Sequence, residues 1–370
     1  MTARHRPLKI IVATGESGGH IFPALSFLEA LREKEKDLDA LLVLPASCLK
    51  DKINLEAYRV EYLPICSIKP KLNRKNIGAL FKFFKGTLMS FLLLAGFRPD
   101  LVVGFGGINS VPLLVFAWLF RIRTMIHEQN VHPGRANRLL MRFADRVAIS
   151  FDQTRDFIRI DPDKLIFTGN PVRRELKRVE KNEALSFLGL EPDKFTLLVM
   201  GGSQGSRSIN QGLLAAVSSI PQKDRFQIIH LSGREDYLKV RESYRGLNIS
   251  AKVFDFLKPV HYAYSASDLV LSRSGAITVT EIMQFALPAI LIPYPYAYQH
   301  QLNNARILEK KGCACIINDA DLDKEILAEK LKGFLDDRQA LSSMRSGYRG
   351  MKIEDSGVRL ANAAIALARY

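Results

Sequence analysis

The chain has 370 residues, 47% of them apolar and 25% charged, which suits two packed domains and excludes a disordered or low-complexity polymer. Its formal net charge of +15 favours polyanionic partners: nucleic acid, anionic lipid heads or phosphorylated small molecules. The cysteines Cys48, Cys66, Cys313 and Cys315 form no C-x-x-C pair and have no histidine at zinc spacing, so they read as reduced thiols rather than a metal site or disulfide framework.

Residues 8–13 are an apolar run of strand length. They lead into the string GESGG at 15–19 and a helix on which Ile21, Leu25, Leu28 and Leu31 share one face. Residues 40–44 are the next buried strand. Between Tyr62 and Pro99 come seven basic residues (Lys69, Lys71, Arg74, Lys75, Lys82, Lys85, Arg98) and no acid. Interleaved with them are Ile77, Leu80, Phe81, Phe83, Phe84, Leu88, Met89 and Phe91 to Leu94. The uncharged part of that stretch, 86–97, is shorter than the roughly 20 residues a bilayer requires. The start, Met1 to Lys9, is basic but lacks the long apolar run of a secretory signal. A chain that stays in the cytosol is expected. Residues 101–103 and 124–126 read as further strands, each running into a polar loop.

The second half opens like the first. Residues 195–200 are a strand, GGSQG at 201–205 a loop and 206–219 a helix. Strands at 227–231, 252–256, 269–272 and 289–292 then alternate with helical stretches. Such alternation implies parallel sheets covered on both faces. The expected fold class is therefore α/β, with two Rossmann-like domains joined near 169–175. The pattern leaves open which domain receives the last helix, 358–369.

Ligands of open α/β sheets bind beyond the carboxyl ends of the strands. Both glycine-rich loops fall there, where glycine admits close backbone approach and the next helix offers free N–H groups. Neither loop fits G-x-G-x-x-G or carries a Walker lysine. GGSQG at 201–205, with Ser203 as an extra donor, reads as a diphosphate cradle; each loop also reads as a plain tight turn. HEQN at 127–130 follows a buried strand, with Asn137 close behind. Four hydrogen-bonding side chains in such a place are costly to bury unless they bind something, or unless they cap the following helix. SRSGA at 272–276 leads into a helix bearing Thr278, Thr280 and Glu281, whose carboxylate could accept bonds from vicinal ribose hydroxyls. Gln301 and Asn304 lie one turn apart and suit sugar hydroxyls, or an ordinary polar helix face. His20 closes the first loop, as a base for a sugar hydroxyl or as a hydrogen-bond partner of the loop.

With these strings in view, the sequence resembles the MurG family, the transferases that move N-acetylglucosamine (GlcNAc) from UDP to lipid I in peptidoglycan synthesis. The resemblance runs from about Lys9 to Arg345 and rests on HEQN, GNPVR at 169–173, GGSQG and HQLNNA at 300–305 taken together. It implies a GT-B fold: an N-terminal acceptor and membrane domain at 1–168, a C-terminal donor domain at 169–352, and a helix at 353–370 returning to the first. Implied donor contacts are Ser17, Gly18, Gly19, Asn130, Arg173, Ser203, Leu257, Ala276, Ile277, Thr278, Val279, Thr280, Glu281 and Gln301. Implied acceptor contacts are Gly106, Gly107 and Asn137. His20, His127 and Glu128 match catalytic positions, with His20 as the preferred base. The reaction would be a single inverting displacement on the 4-hydroxyl, with no cofactor and no essential metal.

The implied partners are UDP-GlcNAc, lipid I, a cell-wall synthesis complex and, through the segment from Lys69 to Phe97, an anionic membrane surface on its cytoplasmic side. Nucleic acid is not expected, since no basic sheet with interleaved aromatics and no groove-reading helix is present. The chain departs from the family pattern at Glu16, Ile108 and Tyr298, which bears on acceptor detail. Two other readings share the fold: a lipid glycosyltransferase of the diacylglycerol type, and a UDP-GlcNAc 2-epimerase.

Overall fold

The computed structural model describes residues 6–46, 55–65, 74–202, 204–296, 299–351 and 355–370. Ser203 and Tyr298 lie outside them, as do Lys69 and Lys71 at the start of the basic segment. The chain divides into two compact units, residues 1–173 with 353–370, and residues 174–352.

The described part of unit 1 is built on a seven-stranded parallel sheet in the order β3-β2-β1-β4-β5-β6-β7. Its strands are β1 (Leu8–Ala13), β2 (Leu38–Pro45), β3 (Arg59–Leu63), β4 (Leu101–Gly104), β5 (Arg123–Glu128), β6 (Arg146–Ile149) and β7 (Leu165–Phe167). The helices are α1 (Gly18–Lys34), α2 (Arg74–Phe97), α3 (Ser110–Leu119) and α4 (Arg135–Leu140). Unit 2 carries α5 (Lys181–Leu188), β8 (Phe195–Met200), α6 (Arg207–Ser218), β9 (Phe226–Leu231), α7 (Tyr237–Gly246), β10 (Ala251–Phe254), α8 (His261–Ala266) and β11 (Leu269–Ser272). It continues with α9 (Ala276–Phe285), β12 (Ala289–Leu291), α10 (His300–Lys310), β13 (Ala314–Ile316), α11 (Lys324–Asp336) and α12 (Arg338–Ser346). Its six described strands are parallel in the order β10-β9-β8-β11-β12-β13. The last helix, α13 (Ser356–Ala368), belongs to unit 1.

Central strands such as β4 and β8 are buried along their whole length, as expected of parallel strands covered on both faces. In unit 1 one layer is α1 with α13: Leu360, Ala361, Ala364 and Leu367 join Phe27, Leu28 and Leu31 against Ile10, Val12, Leu101 and Val103. The opposite layer places Leu94 and Phe97 of α2 and Leu113, Leu114 and Ala117 of α3 over Ile11, Val102 and Ile126. Both sheets reverse strand order at their first strand, between β1 and β4 and between β8 and β11. Such switch points open a crevice at the strands' carboxyl ends, and there the loops singled out in the sequence emerge.

The uncharged run 86–97 is part of a longer helix that also contains Lys82 and Lys85. Residues Gly78–Phe97 form a 20-residue stretch with mean hydropathy 1.5, long and apolar enough to cross a membrane, and only 22% of it is buried. Gly86, Ser90, Leu94 and Phe97 face inward. A Cβ on Gly86 would sit 2.3 Å from the Ile65 side chain, so glycine sets the close approach there.

Candidate active site

In unit 2, Gly201, Gly202, Gln204 and Gly205 lie between β8 and α6. A Cβ at Gly201 would come within 2.2 Å of the Ser206 amide nitrogen, and one at Gly205 within 2.1 Å of the Ser232 carbonyl oxygen. Only glycine fits this fold-back. The α6 and α9 helices start at Ser206 and Gly275, neither of which caps with its side chain. Their first N–H groups therefore lack intrahelical acceptors and lie beside the switch point, an arrangement suited to an anion.

Arg273 ties these loops together. Its guanidinium donates to Ser206 Oγ (2.9 Å), Ser208 Oγ (2.8 Å) and the Ile292 carbonyl (3.1 Å), and pairs with Asp319 at 2.5 Å. Glu281, two turns into α9, is 5% exposed and accepts a 2.8 Å bond from the Tyr264 hydroxyl. Gln301 turns its carbonyl toward the backbone N–H groups of Ser274 (3.3 Å) and Tyr294 (2.9 Å). Two donors at one oxygen fix the amide's orientation and leave its NH2 as the group for a ligand.

The α9 segment divides by face. Ile277, Thr278 and Thr280 are partly exposed, whereas Val279 is a core residue and Ala276 is buried. For Ala276 and Val279 only the backbone is open to a ligand role. Leu257 is likewise buried.

In unit 1, the turns after β1 and β4 meet glycine to glycine: a Cβ on Gly107 would lie 2.5 Å from the Gly15 Cα. Gly106 and Gly107 adopt φ of 86° and 85°, a conformation open to glycine at little cost. On this floor rests His20. Its Nδ1 is 3.1 Å from Ser17 Oγ, and a Cβ on Gly106 would touch its Nε2 at 3.2 Å and Asn137 Nδ2 at 3.5 Å. Burial lowers the His20 pKa to about 4, so its ring is neutral near pH 7. Ser17 heads α1 without capping it, which leaves the Gly18 and Gly19 N–H groups without intrahelical acceptors. Glu16 is exposed. Arg173 stacks over the Phe22 ring at 4.8 Å.

Glycosyltransferase family 28 is matched twice, by its N-terminal domain over residues 10–149 and by its C-terminal domain over residues 196–359. A relative from Caldanaerobacter subterraneus subsp. tengcongensis is 35% identical over 360 residues, covering 95% of this chain and 98% of its own. One from Halothermothrix orenii is 36% identical over 353 residues, covering 93% and 95%. Both are named UDP-N-acetylglucosamine--N-acetylmuramyl-(pentapeptide) pyrophosphoryl-undecaprenol N-acetylglucosamine transferase, the MurG enzyme.

The chain belongs to the MurG family.

Among solved structures, MurG of Acinetobacter baumannii superposes with a TM-score of 0.75 at 24% identity, covering 97% of this chain and 99% of its own. UDP-GlcNAc 2-epimerase of Neisseria meningitidis, bound to UDP-GlcNAc, superposes at 0.67 with 16% identity, covering 97% and 98%. At these identities the likeness shows the fold, which is GT-B: two Rossmann-like units in one chain.

In the HEQN string, His127 and Glu128, both expected at catalytic positions, are held in a buried hydrogen-bond cluster. His127 is fully buried, with Nε2 3.1 Å from the Gly169 carbonyl and Nδ1 3.2 Å from the Gln129 amide. Both ring nitrogens are engaged, and burial lowers its pKa to about 4. Glu128 accepts from the backbone of Asn130 (2.9 Å) and Gly134 (3.0 Å) and from the Asn130 (3.2 Å) and Asn137 (2.8 Å) amides. Burial raises its pKa while these bonds oppose the rise. The Glu128 carboxylate ties down the 130–134 loop and holds Asn137, while the buried Gln129 Oε1 and Asn137 Oδ1 have no partner.

Asn304 is fully buried and donates to the Ser274 carbonyl at 3.2 Å, so it shapes the loop that Gln301 also holds. Sequence reasoning gave no part to Arg273 or Tyr264. A lone arginine between serines carries no signal of the contacts it makes across 65 residues of chain.

Proposed function

We propose that the chain transfers GlcNAc from UDP-GlcNAc to the 4-hydroxyl of lipid I, with inversion, forming lipid II. Family membership and the paired GT-B units support this reaction. The observation that carries the donor half is the switch point of unit 2: two uncapped helix N-termini, the glycine turn between them and a buried carboxylate on α9. The amides would hold the diphosphate and stabilise the charge of departing UDP, with Ser203 as a further donor. One such donor is typically worth about 3 kcal/mol of barrier. Glu281 would accept from the ribose hydroxyls, the Leu257 backbone would meet uracil, and the Gln301 NH2 would read the sugar. Arg173, Asn130 and residues Ser17, Gly18 and Gly19 would complete the donor contacts.

In unit 1, His20 would take the proton of the acceptor hydroxyl. Ser17 Oγ at Nδ1 orients the ring and leaves Nε2 for the substrate, beside Gly106, Gly107 and Asn137 on the acceptor side. His127 and Glu128 would position this assembly rather than exchange protons.

Peripheral binding to the cytoplasmic face of the membrane is part of the proposal. Phe81 and Phe84 of α2 are 71% and 63% exposed, and Leu80, Leu88, Phe91 and Leu92 join them. The exposed Trp118 and Leu119 of α3 and Phe120 just after it extend the apolar face beyond the 69–97 segment, with Phe91 packed on the Phe116 and Phe120 rings at 5.7 and 5.5 Å. Exposed Lys82 and Lys85 on α2, Arg121 just after α3, Arg138 on α4 and Arg142 just after α4 supply positive charge. Each Lys or Arg near an anionic surface is worth about 1 kcal/mol, and the apolar groups add interfacial burial. Because α2 also packs its other face on the protein, it lies along the surface rather than across the bilayer.

The test is incubation with labelled UDP-GlcNAc and a lipid I analogue. Disaccharide is expected. Glu281→Ala should weaken donor binding at least tenfold, and His20→Ala should cut kcat by a factor on the order of 10²–10⁴ with donor affinity kept. Epimerised sugar without disaccharide would support the epimerase instead, and unchanged kcat in His20→Ala would remove the base.

A further inference from the structure

We propose that Tyr264 is the positioning residue for the ribose-binding carboxylate, so that it sets how strongly the protein prefers a ribonucleotide to a deoxyribonucleotide. The inference rests on the reading of Glu281 as the ribose acceptor.

Tyr264 cannot touch a ligand itself. It is 1% exposed, on the short helix α8. Its ring stacks on Phe285, one turn beyond Glu281 on α9, with centroids 5.0 Å apart and planes at 17°. That stacking aims the phenol, whose O–H donates to Glu281 Oε2 at 2.8 Å. A glutamate has three side-chain torsions, and a carboxylate meant to accept from two adjacent hydroxyls must present a fixed oxygen edge. The phenol supplies the constraint. It binds one oxygen and, being a donor, leaves the group acceptor-only, the form a diol requires.

The position of α8 adds a second link. It begins directly after residues 257–260, the stretch next to the proposed uracil contact, and the Tyr264 N–H bonds to the Val260 carbonyl at 3.2 Å. One short helix therefore spans from the base-facing backbone to the ribose-facing carboxylate, and Tyr264 is where the two are joined.

The experiment measures UDP and 2′-deoxy-UDP binding by calorimetry on the intact protein, together with steady-state kinetics. Tyr264→Phe keeps the ring stack and removes only the hydroxyl. The expected result is a fall of about tenfold in UDP affinity with at most a twofold change for 2′-deoxy-UDP, and a raised KM for UDP-GlcNAc at nearly constant kcat. In a Glu281→Gln background, Tyr264→Phe should cost nothing further. Phe285→Leu, which keeps the hydroxyl but loosens its aim, should give the same selective loss in smaller measure. Equal losses for both nucleotides, or no loss in either variant, overturn the inference while leaving Glu281 as the ribose acceptor. Absence of UDP binding by the unaltered protein overturns the donor reading and this inference with it.

Discussion

Three histidines are held neutral by burial: His20 and His127 near pKa 4 and His230 near 3. His230 lies in the core of unit 2, where its ring nitrogens meet the Tyr244 hydroxyl at 2.8 Å and Asn210 Oδ1 at 2.9 Å. An unfolded histidine titrates near pH 6.5. Between that value and about pH 4 the unfolded chain binds more protons than the folded one, so stability falls as pH falls. The melting midpoint should drop across this window, and His230→Gln, though less stable at neutral pH, should show a shallower acid-side slope. If His20 is the base, the acid limb of kcat should lie near pH 4 rather than 6.5. The HEQN string shows where sequence legibility stops at this scale. Its polarity and place at the end of a strand were visible, but the mutual satisfaction of Glu128 by Asn130, Gly134 and Asn137 arises only from the loop's three-dimensional turn.

At the scale of elements, the long apolar strands β1 and β8 and the glycine turns after them were legible because each is a local pattern. The three-residue strands β7 and β13 and the edge strand β3, with its mixed burial, exist because a neighbouring strand accepts them, and no local pattern marks them. The α2 helix was visible in composition but not in orientation. Its periodicity cannot tell which apolar face packs inward when both faces are apolar. The structure separates them: Gly86, Ser90 and Leu94 inward, Phe81, Phe84 and Leu88 outward. Replacing those three outward residues with glutamate should lower binding to anionic vesicles at least tenfold in co-sedimentation, with turnover of a water-soluble acceptor retained. Loss of that turnover as well would mean the face is structural.

For the molecule as a whole, the two Rossmann-like units could be inferred from alternation, whereas the return of α13 to unit 1 is non-local and came only from the family resemblance. The structure shows how firmly it is held: Leu360, Ala361 and Ala364 are fully buried against the α1 layer. Burying a leucine is worth roughly 1.5–3 kcal/mol, and Leu360 and Leu367 both contribute. Removing residues 355–370 should therefore lower the unfolding midpoint of unit 1 by several degrees or more in calorimetry, with the unit 2 transition largely unchanged. This closure also orders events at the ribosome. Unit 2 has all of its strands and helices available before α13 emerges, so the second unit in sequence is the first that can finish its core. The first unit must wait as a partly covered sheet, exposed to premature association, until the returning helix reaches it.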